Sequence, residues 1–419
     1  MTFFLLAFYT PAFVLALLIL FTLLQEVLFF SVGELGSFNQ LVGLILLIVL
    51  VTKAFLGRQL HLVTTPVTIA LLGLLVWMVL SFLLLSVGRE NPLQVINQFS
   101  RSFLLFFMCL LALRTDRDIR LFVGSLLVGS VIVASTGLWG NALIEGSYFP
   151  VSGGRSGISG ITSHYIEFAV RCLIPLPIFL YGFGGLARAP RVTHLFNIVV
   201  VLYLSAAILL SGSRGAVIAY FFMVVLFLGM SRIGVVKKTF LGAILVITPF
   251  LLPIEEILQS LSLLARGNIG DLSVSFRAEF LKDLIGGIHL DSILWGQGLE
   301  NFRDQTSYLN NPPHTIWGQT LYELGLIGLA IQLYVVFHVA RLFRSIRWET
   351  RNAPSLTGHL VLGIGISLFV LFFWGLYENI GLLVGTKLLF ILLGGFIAGV
   401  RVVQENRISE EYAGYDDNP

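Results

Sequence analysis

A histidine stands at the mouth of a strongly apolar segment: the run 310–328, NNPPHTIWGQTLYELGLIG, sets Pro312 and Pro313 directly ahead of His314 and Thr315. Proline is tolerated only at or before the first turn of a helix, so His314 should sit near a helix start, with polar chemistry held at a membrane surface. An imidazole in that place can accept or hold a proton near neutral pH, or serve only as an interfacial hydrogen-bonding group. Two arginines, Arg214 and Arg277, fall on the same side of the membrane in the topology set out below.

Arg214 lies in the short turn Ser211-Gly212-Ser213-Arg214-Gly215 between two apolar runs. Ser213 is a natural helix cap there, and Gly215 leaves the backbone open. A helix start supplies free N–H groups and positive dipole potential, which is what an anionic phosphate needs, and Arg214 adds a planar, permanently charged fork. The alternative is an interfacial arginine reaching for lipid headgroups. Arg277 opens the amphipathic stretch RAEFLKDLIGGI, where a charge on the surface of an extramembrane helix would look the same.

A further set of ionisable groups lies inside the apolar runs. His164, Glu167 and Arg171 recur at i, i+3 and i+7 and so share one helix face. Charges at such depth either line an interior cavity or pair with one another, and Glu167 with Arg171 suits both readings. Arg101 is a similar case, and Glu323 lies more than two turns into the His314 helix, where it could pair with an arginine. Gly325, Gly328 and Ala330 suggest close helix packing. Arg155 sits in the middle of a Gly/Ser-rich loop, 146–164, pliable enough to act as a lid. Cys109 and Cys172 fall within apolar runs at different depths and read as small buried residues rather than a disulfide. The seven histidines are scattered without metal-ligand spacing, so catalysis should be metal-independent or use a weakly held ion, with no cofactor.

The elements that must position these residues follow from composition. With 57% hydrophobic and 12% charged residues in 419, and a mean hydropathy of +0.92, the chain is an all-α polytopic membrane protein. Apolar runs near the length of a membrane span, about 20 residues, occur at roughly 9–31, 39–57, 66–87, 99–113, 120–143, 164–185, 193–212, 214–231, 238–253, 315–340, 357–378 and 381–400. A cytoplasmic N-terminus places sixteen of the 26 Lys and Arg residues in inside loops and makes every inside loop basic, which fixes twelve spans, a cytoplasmic C-terminus and a tail over 401–419. The net charge of +3 reflects this bias and not a nucleic-acid surface. No cleavable signal sequence is evident, and the first span reads as an anchor. The one long extramembrane stretch, 254–313, has helix-like patterns around 254–264 and 276–288 and is expected to cap the bundle as part of a single integral-membrane domain over 1–419. Internal repeats are not visible, which weighs against an inverted-repeat transporter.

In order, the chain carries Ser213-Arg214-Gly215-Ala216, then Arg277, then WGQGLENF over 295–302, then His314 followed by ELGLIG over 323–328. This succession, covering roughly 203–329, resembles the O-antigen ligase and polymerase superfamily. Thr315 stands where that family often has Asn or Ser after the histidine, so a hydroxyl is kept. The resemblance implies a GT-C-like glycosyltransferase of the bacterial inner membrane that takes a glycan from undecaprenyl pyrophosphate in the periplasmic leaflet. A ligase passes it to a sugar of the lipid A core, a polymerase to another lipid-linked glycan. It also implies catalytic roles for His314, Arg214 and Arg277, with no nucleotide sugar and no obligatory metal. Arginines would neutralise the pyrophosphate leaving group, and His314, with an ordinary pKa of about 6.5, would take the acceptor's proton while the anomeric centre inverts. Arg155, His164, Arg171, Arg101 and Glu323 are the candidates for binding substrate. A non-enzymatic flippase of lipid-linked glycan is the alternative from another class. It should carry cations through to the cytoplasmic side, whereas these collect at the outer end.

Overall fold

The computed structural model describes residues 2–24, 35–57, 64–85, 92–140, 151–152, 155–156, 165–184, 191–211, 213–230, 292–299, 315–352, 354–376 and 387–416. Apart from one hairpin of two-residue strands, β1 (Val151–Ser152) and β2 (Arg155–Ser156), its regular elements are helical. In chain order the helices are α1 (Thr2–Tyr9), α2 (Pro11–Leu23), α3 (Leu35–Leu56), α4 (Pro66–Leu85), α5 (Pro92–Ala112) and α6 (Asp116–Ser135), which runs on into a π-helical turn at Thr136–Gly140. There follow α7 (Tyr165–Leu173), α8 (Pro175–Gly184), α9 (Arg191–Leu210), α10 (Arg214–Met230), α11 (Ile316–Asn352), α12 (Leu356–Trp374) and α13 (Lys387–Asp416).

Proline positions several of these starts. Pro11, Pro66, Pro92 and Pro175 each open a helix, where the missing N–H costs nothing. The same residue type divides the expected span 164–185, where Pro175 separates α7 from α8, while Pro11 sets off a further short helix, α1, ahead of the expected 9–31. Among the described residues six helices are long and apolar enough to cross a membrane, in α4, α5, α6, α11, α12 and α13, and four shorter apolar helices accompany them. The chain is an all-α polytopic membrane protein. Of the twelve expected spans, 238–253 lies outside the described residues, as does the stretch 254–313 except for 292–299. The expected tail over 401–419 continues α13 without interruption as far as Asp416.

Helix α12 is the core of the bundle, with fifteen of its nineteen residues buried. It and the helices around it approach one another through glycine, since without a hydrophobic force between helices in lipid it is close van der Waals contact that holds them. A Cβ on Gly363 would strike the backbone of Ile178 in α8, one on Gly399 of α13 would meet Val361, and one on Gly394 would meet Cys109 and the Phe106 backbone of α5. Cys109 and Cys172 are both free and buried. By contrast α4 and α11 lie at the periphery, and α4 turns Ile69, Leu72, Val76 and Leu83 outward, as lipid-facing residues should be.

The register of the two long helices α5 and α13 defines two ends. At one, Arg401 donates from Nη2 to the carbonyls of Leu110 and Leu113 at 3.1 and 2.7 Å, so the orphan carbonyls that close α5 are satisfied by a cation. Beside it Thr115 and Asp118 form a capping box at the start of α6, and Asn406 donates to Asp116. This is the basic end, where Arg114, Arg341, Arg344 and Arg347 also fall. At the far end Phe99 packs edge-on against Phe390, ring centroids 5.2 Å apart, which brings Arg101 and Lys387 to a common level.

Candidate active site

Helix α10 starts where a serine cap requires it to. Ser213 Oγ accepts the Ala216 amide at 3.2 Å and the Ser213 carbonyl accepts Val217 at 3.1 Å, while Ser211 Oγ accepts the Ser213 amide at 3.2 Å. Both hydroxyls are buried, so the turn is held from within and Arg214 becomes the first residue of the helix. Its side chain lies outside the described residues. The first amides of this helix and its dipole offer positive potential at that turn, as an anion site needs.

The second element is a helix broken on purpose. Nine residues into α11, about 14 Å along its axis, Gly325 adopts φ 67°, ψ −166°, and the hydrogen-bond ladder stops. A break inside a membrane strands carbonyls and amides, each costing several kcal/mol if unpaired (about 2–7), so irregular backbone survives there only against other protein. Segment 292–299 supplies that protein. The amides of Gln297 and Gly298 donate to the carbonyls of Tyr322 and Glu323 at 2.8 and 3.1 Å; those of Leu326 and Ile327 donate to Ile293 and Leu294 at 2.9 and 3.4 Å. The Leu324 carbonyl accepts Trp77 Nε1 of α4 at 2.9 Å, and the Trp77 ring also meets Trp295, centroids 5.6 Å apart. Two glycines make the approach close enough. A Cβ on Gly296 would collide with the Glu323 carbonyl, and one on Gly325 with the Leu294 carbonyl. Gly296 and Gly298 have φ of 83° and 96°, where only glycine is unstrained. The sequence motifs WGQG and ELGLIG are therefore the two halves of one clasp. Gly325, expected to serve helix packing, serves instead to let a second backbone in.

Below and around the clasp α11 buries an unusual polar set. Gln319 Nε2 donates to Glu323 Oε1 at 3.1 Å, and Gln332 Nε2 reaches back across the break to Thr320 Oγ1 at 2.8 Å. Glu323 is 1% exposed, so its carboxyl sits wholly inside the protein.

The third group gathers round α7. Arg171, itself buried, donates from Nη1 to the Leu23 carbonyl at 3.0 Å and from Nη2 to Glu167 Oε2 at 3.3 Å. The expected i, i+4 pair is thus formed, and its arginine also closes the end of α2. Lys387, at the start of α13, lies in the electrostatic field of Arg101, Arg171 and Glu167 together. Sequence reading overlooked Lys387, because it stands alone within the apolar run 381–400 and carries no pattern of its own. Arg101 is exposed, nine residues inside a helix that begins at Pro92, earlier than the run 99–113 suggested.

The expected site residues divide accordingly. Arg101, Arg171 and Glu323 have described side chains, with Arg101 and Arg171 sharing one electrostatic neighbourhood and Glu323 beside the clasp. Arg155 is in β2, paired in register with Ser152, with its side chain outside the described residues. His314, Arg277 and His164 lie outside the described residues altogether.

The clasp joins the last two motifs of the resemblance, and a comparison with known families bears on the same stretch. Residues 199–333 match the O-antigen ligase family model. The match takes in about a third of the chain, from within α9 through α10 to just beyond the break in α11, and its limits fall four residues outside the 203–329 expected from the motifs. No curated protein matches the chain. The matched stretch contains Arg214, Arg277, His314 and Glu323, together with both halves of the clasp. The family points to lipid-linked glycan as substrate and to a ligase or polymerase type of activity.

Proposed function

We propose that this protein is an O-antigen ligase, transferring a glycan from undecaprenyl pyrophosphate to a sugar of the lipid A core at the periplasmic face of the bacterial inner membrane. The observation that carries the reading is the O-antigen ligase domain over 199–333, whose capped helix start presents Arg214 at the head of α10. In this mechanism the acceptor hydroxyl attacks the anomeric carbon from the face opposite the pyrophosphate. The new glycosidic C–O bond forms as the bond to the pyrophosphate oxygen breaks, inverting the centre. His314 takes the acceptor's proton. The charge that develops on the departing undecaprenyl pyrophosphate is met by Arg214, Arg277 and the first amides of α10, so cations of the protein act where other glycosyltransferases use a metal. Arg101, Arg155, His164, Arg171 and Glu323 bind and orient the two glycans.

Reconstitution tests this directly. Purified protein in proteoliposomes with lipid-linked glycan should yield glycosylated lipid A core when core is supplied and no lengthened lipid-linked glycan when it is withheld. Elongation without core would assign the polymerase activity instead. Loss of donor from one leaflet with no new glycosidic bond would assign a flippase.

A further inference from the structure

Away from the transfer chemistry, at the basic end, α4, α11 and α13 leave a cavity of about 520 Å³. Helix α11 lines it with His338, Arg341 and Ser345, which at i, i+3 and i+7 share one face; α13 adds Arg401, Gln404 and Glu405. Ser345 and Gln404 both bond to Glu349, at 3.1 and 3.2 Å, so this polar wall is fixed. Arg401 is held by the end of α5 and its Nε lies 3.9 Å from Glu405, while Arg341 is exposed. Two arginines and a histidine thus line the chamber. Glu405 lies beside Arg401 and Glu349 is taken up by Ser345 and Gln404, so the exposed Arg341, with His338, can meet an anion.

A second cavity of about 510 Å³ begins where the first ends, since Pro66 lines both. It runs up between α4 and α11 past Ile69 and Gly73 on one side and Ala330 and Ile331 on the other, with Tyr334 standing over the His338 ring at 4.5 Å where the two meet. Its lining is almost wholly apolar, and Gly73 opens onto free space, since a Cβ there would meet nothing within 4 Å. An arginine-lined polar chamber continuous with a narrow apolar groove suits an amphiphile with an anionic head. From Pro66 to Gly73 the groove spans about 10 Å of helix, which stays within one leaflet of a hydrocarbon core of about 30 Å. That length suits an acyl chain better than a long isoprenoid.

We propose that the paired cavity binds an anionic glycerophospholipid from the leaflet at the basic end, its phosphate among His338, Arg341 and Arg401 and one acyl chain between α4 and α11. Basic pockets between membrane helices are suited to this use, with each arginine near the headgroup strengthening binding about fivefold. The test is native mass spectrometry of the full-length protein in mild detergent, titrated with phosphatidylglycerol or with phosphatidylethanolamine of the same chains. Phosphatidylglycerol should bind the more tightly, Arg341→Gln should weaken it about fivefold, and Arg344→Gln, a neighbouring basic residue that does not line the cavity, should leave it unchanged. Gly73→Leu should lower binding of both lipids by filling the groove, with thermal unfolding as the check that the variant is folded. Equal binding of the two lipids, equal effects of the two arginine substitutions, or tighter binding of a polyprenyl phosphate would each overturn the assignment. The surface substitutions keep the proposal open to refutation even if Gly73→Leu does not fold, and no part of the measurement depends on glycan transfer.

Discussion

Arg214 is the residue on which the proposed chemistry turns, because it is the first residue of a helix whose cap is buried and doubly bonded. Arg214→Ala should abolish glycan transfer at unchanged protein abundance, and Arg214→Lys should restore little of it, since a point charge cannot reproduce a bidentate fork. Near-normal transfer by the alanine variant in the reconstituted assay would remove the pyrophosphate role. His314 separates from it in kind. If it takes the acceptor's proton, His314→Ala should bind donor as the parent does and turn it over about 10²- to 10⁴-fold more slowly. Donor binding and turnover measured on the same preparations would distinguish the two, and a histidine variant that loses donor binding belongs with the pyrophosphate. At this scale the sequence was informative where chemistry is local. Ser213 stood out as a cap because it interrupts two apolar runs, and Glu167 found Arg171 because one helical turn separates them. Lys387 was invisible, since its neighbours Arg101 and Arg171 come from helices remote in the chain.

The element that matters most is the broken helix α11 with the segment 292–299 clasped to it. Its glycines are interdependent, so Gly296→Ala should destabilise the protein by about 3 kcal/mol or more, through a forced positive φ and collision with the Glu323 carbonyl. Gly124→Ala in α6 is the comparison: a Cβ there meets nothing within 4 Å, and helix propensity alone predicts a gain of up to about 1 kcal/mol. Thermal unfolding of the purified variants measures both, and equal midpoints would mean that the clasp contributes little. None of this was legible as a break. The run 315–340 contains no proline, its apolar pattern continues through Leu324 and Leu326, and sixteen residues separate the partner segment from the start of α11. The motifs themselves were visible, but their meeting is a tertiary fact. Where the break is coded by proline, as at Pro175, the division falls within an expected span and is readable in retrospect.

For the molecule as a whole, composition alone established the all-α membrane class, and the alternation of basic loops gave an orientation that a labelling experiment can measure. Arg407→Cys should react with a membrane-impermeant maleimide only after cells are permeabilised, on a quiet background because Cys109 and Cys172 are buried. Labelling of intact cells would invert the topology. Glycan transfer should also survive excess EDTA, and a loss restored by Mg²⁺ or Mn²⁺ would show that an ion shares the work of the arginines. The clasp also bears on how the protein is made. As a continuous helix, the 37 residues of α11 would extend about 55 Å, far beyond a hydrocarbon core of about 30 Å. Translation delivers segment 292–299 ahead of α11, so the partner for the break is already waiting when Gly325 leaves the ribosome. An α11 that docks on this segment as it emerges would leave no bare carbonyls at the break, and order of synthesis favours that route.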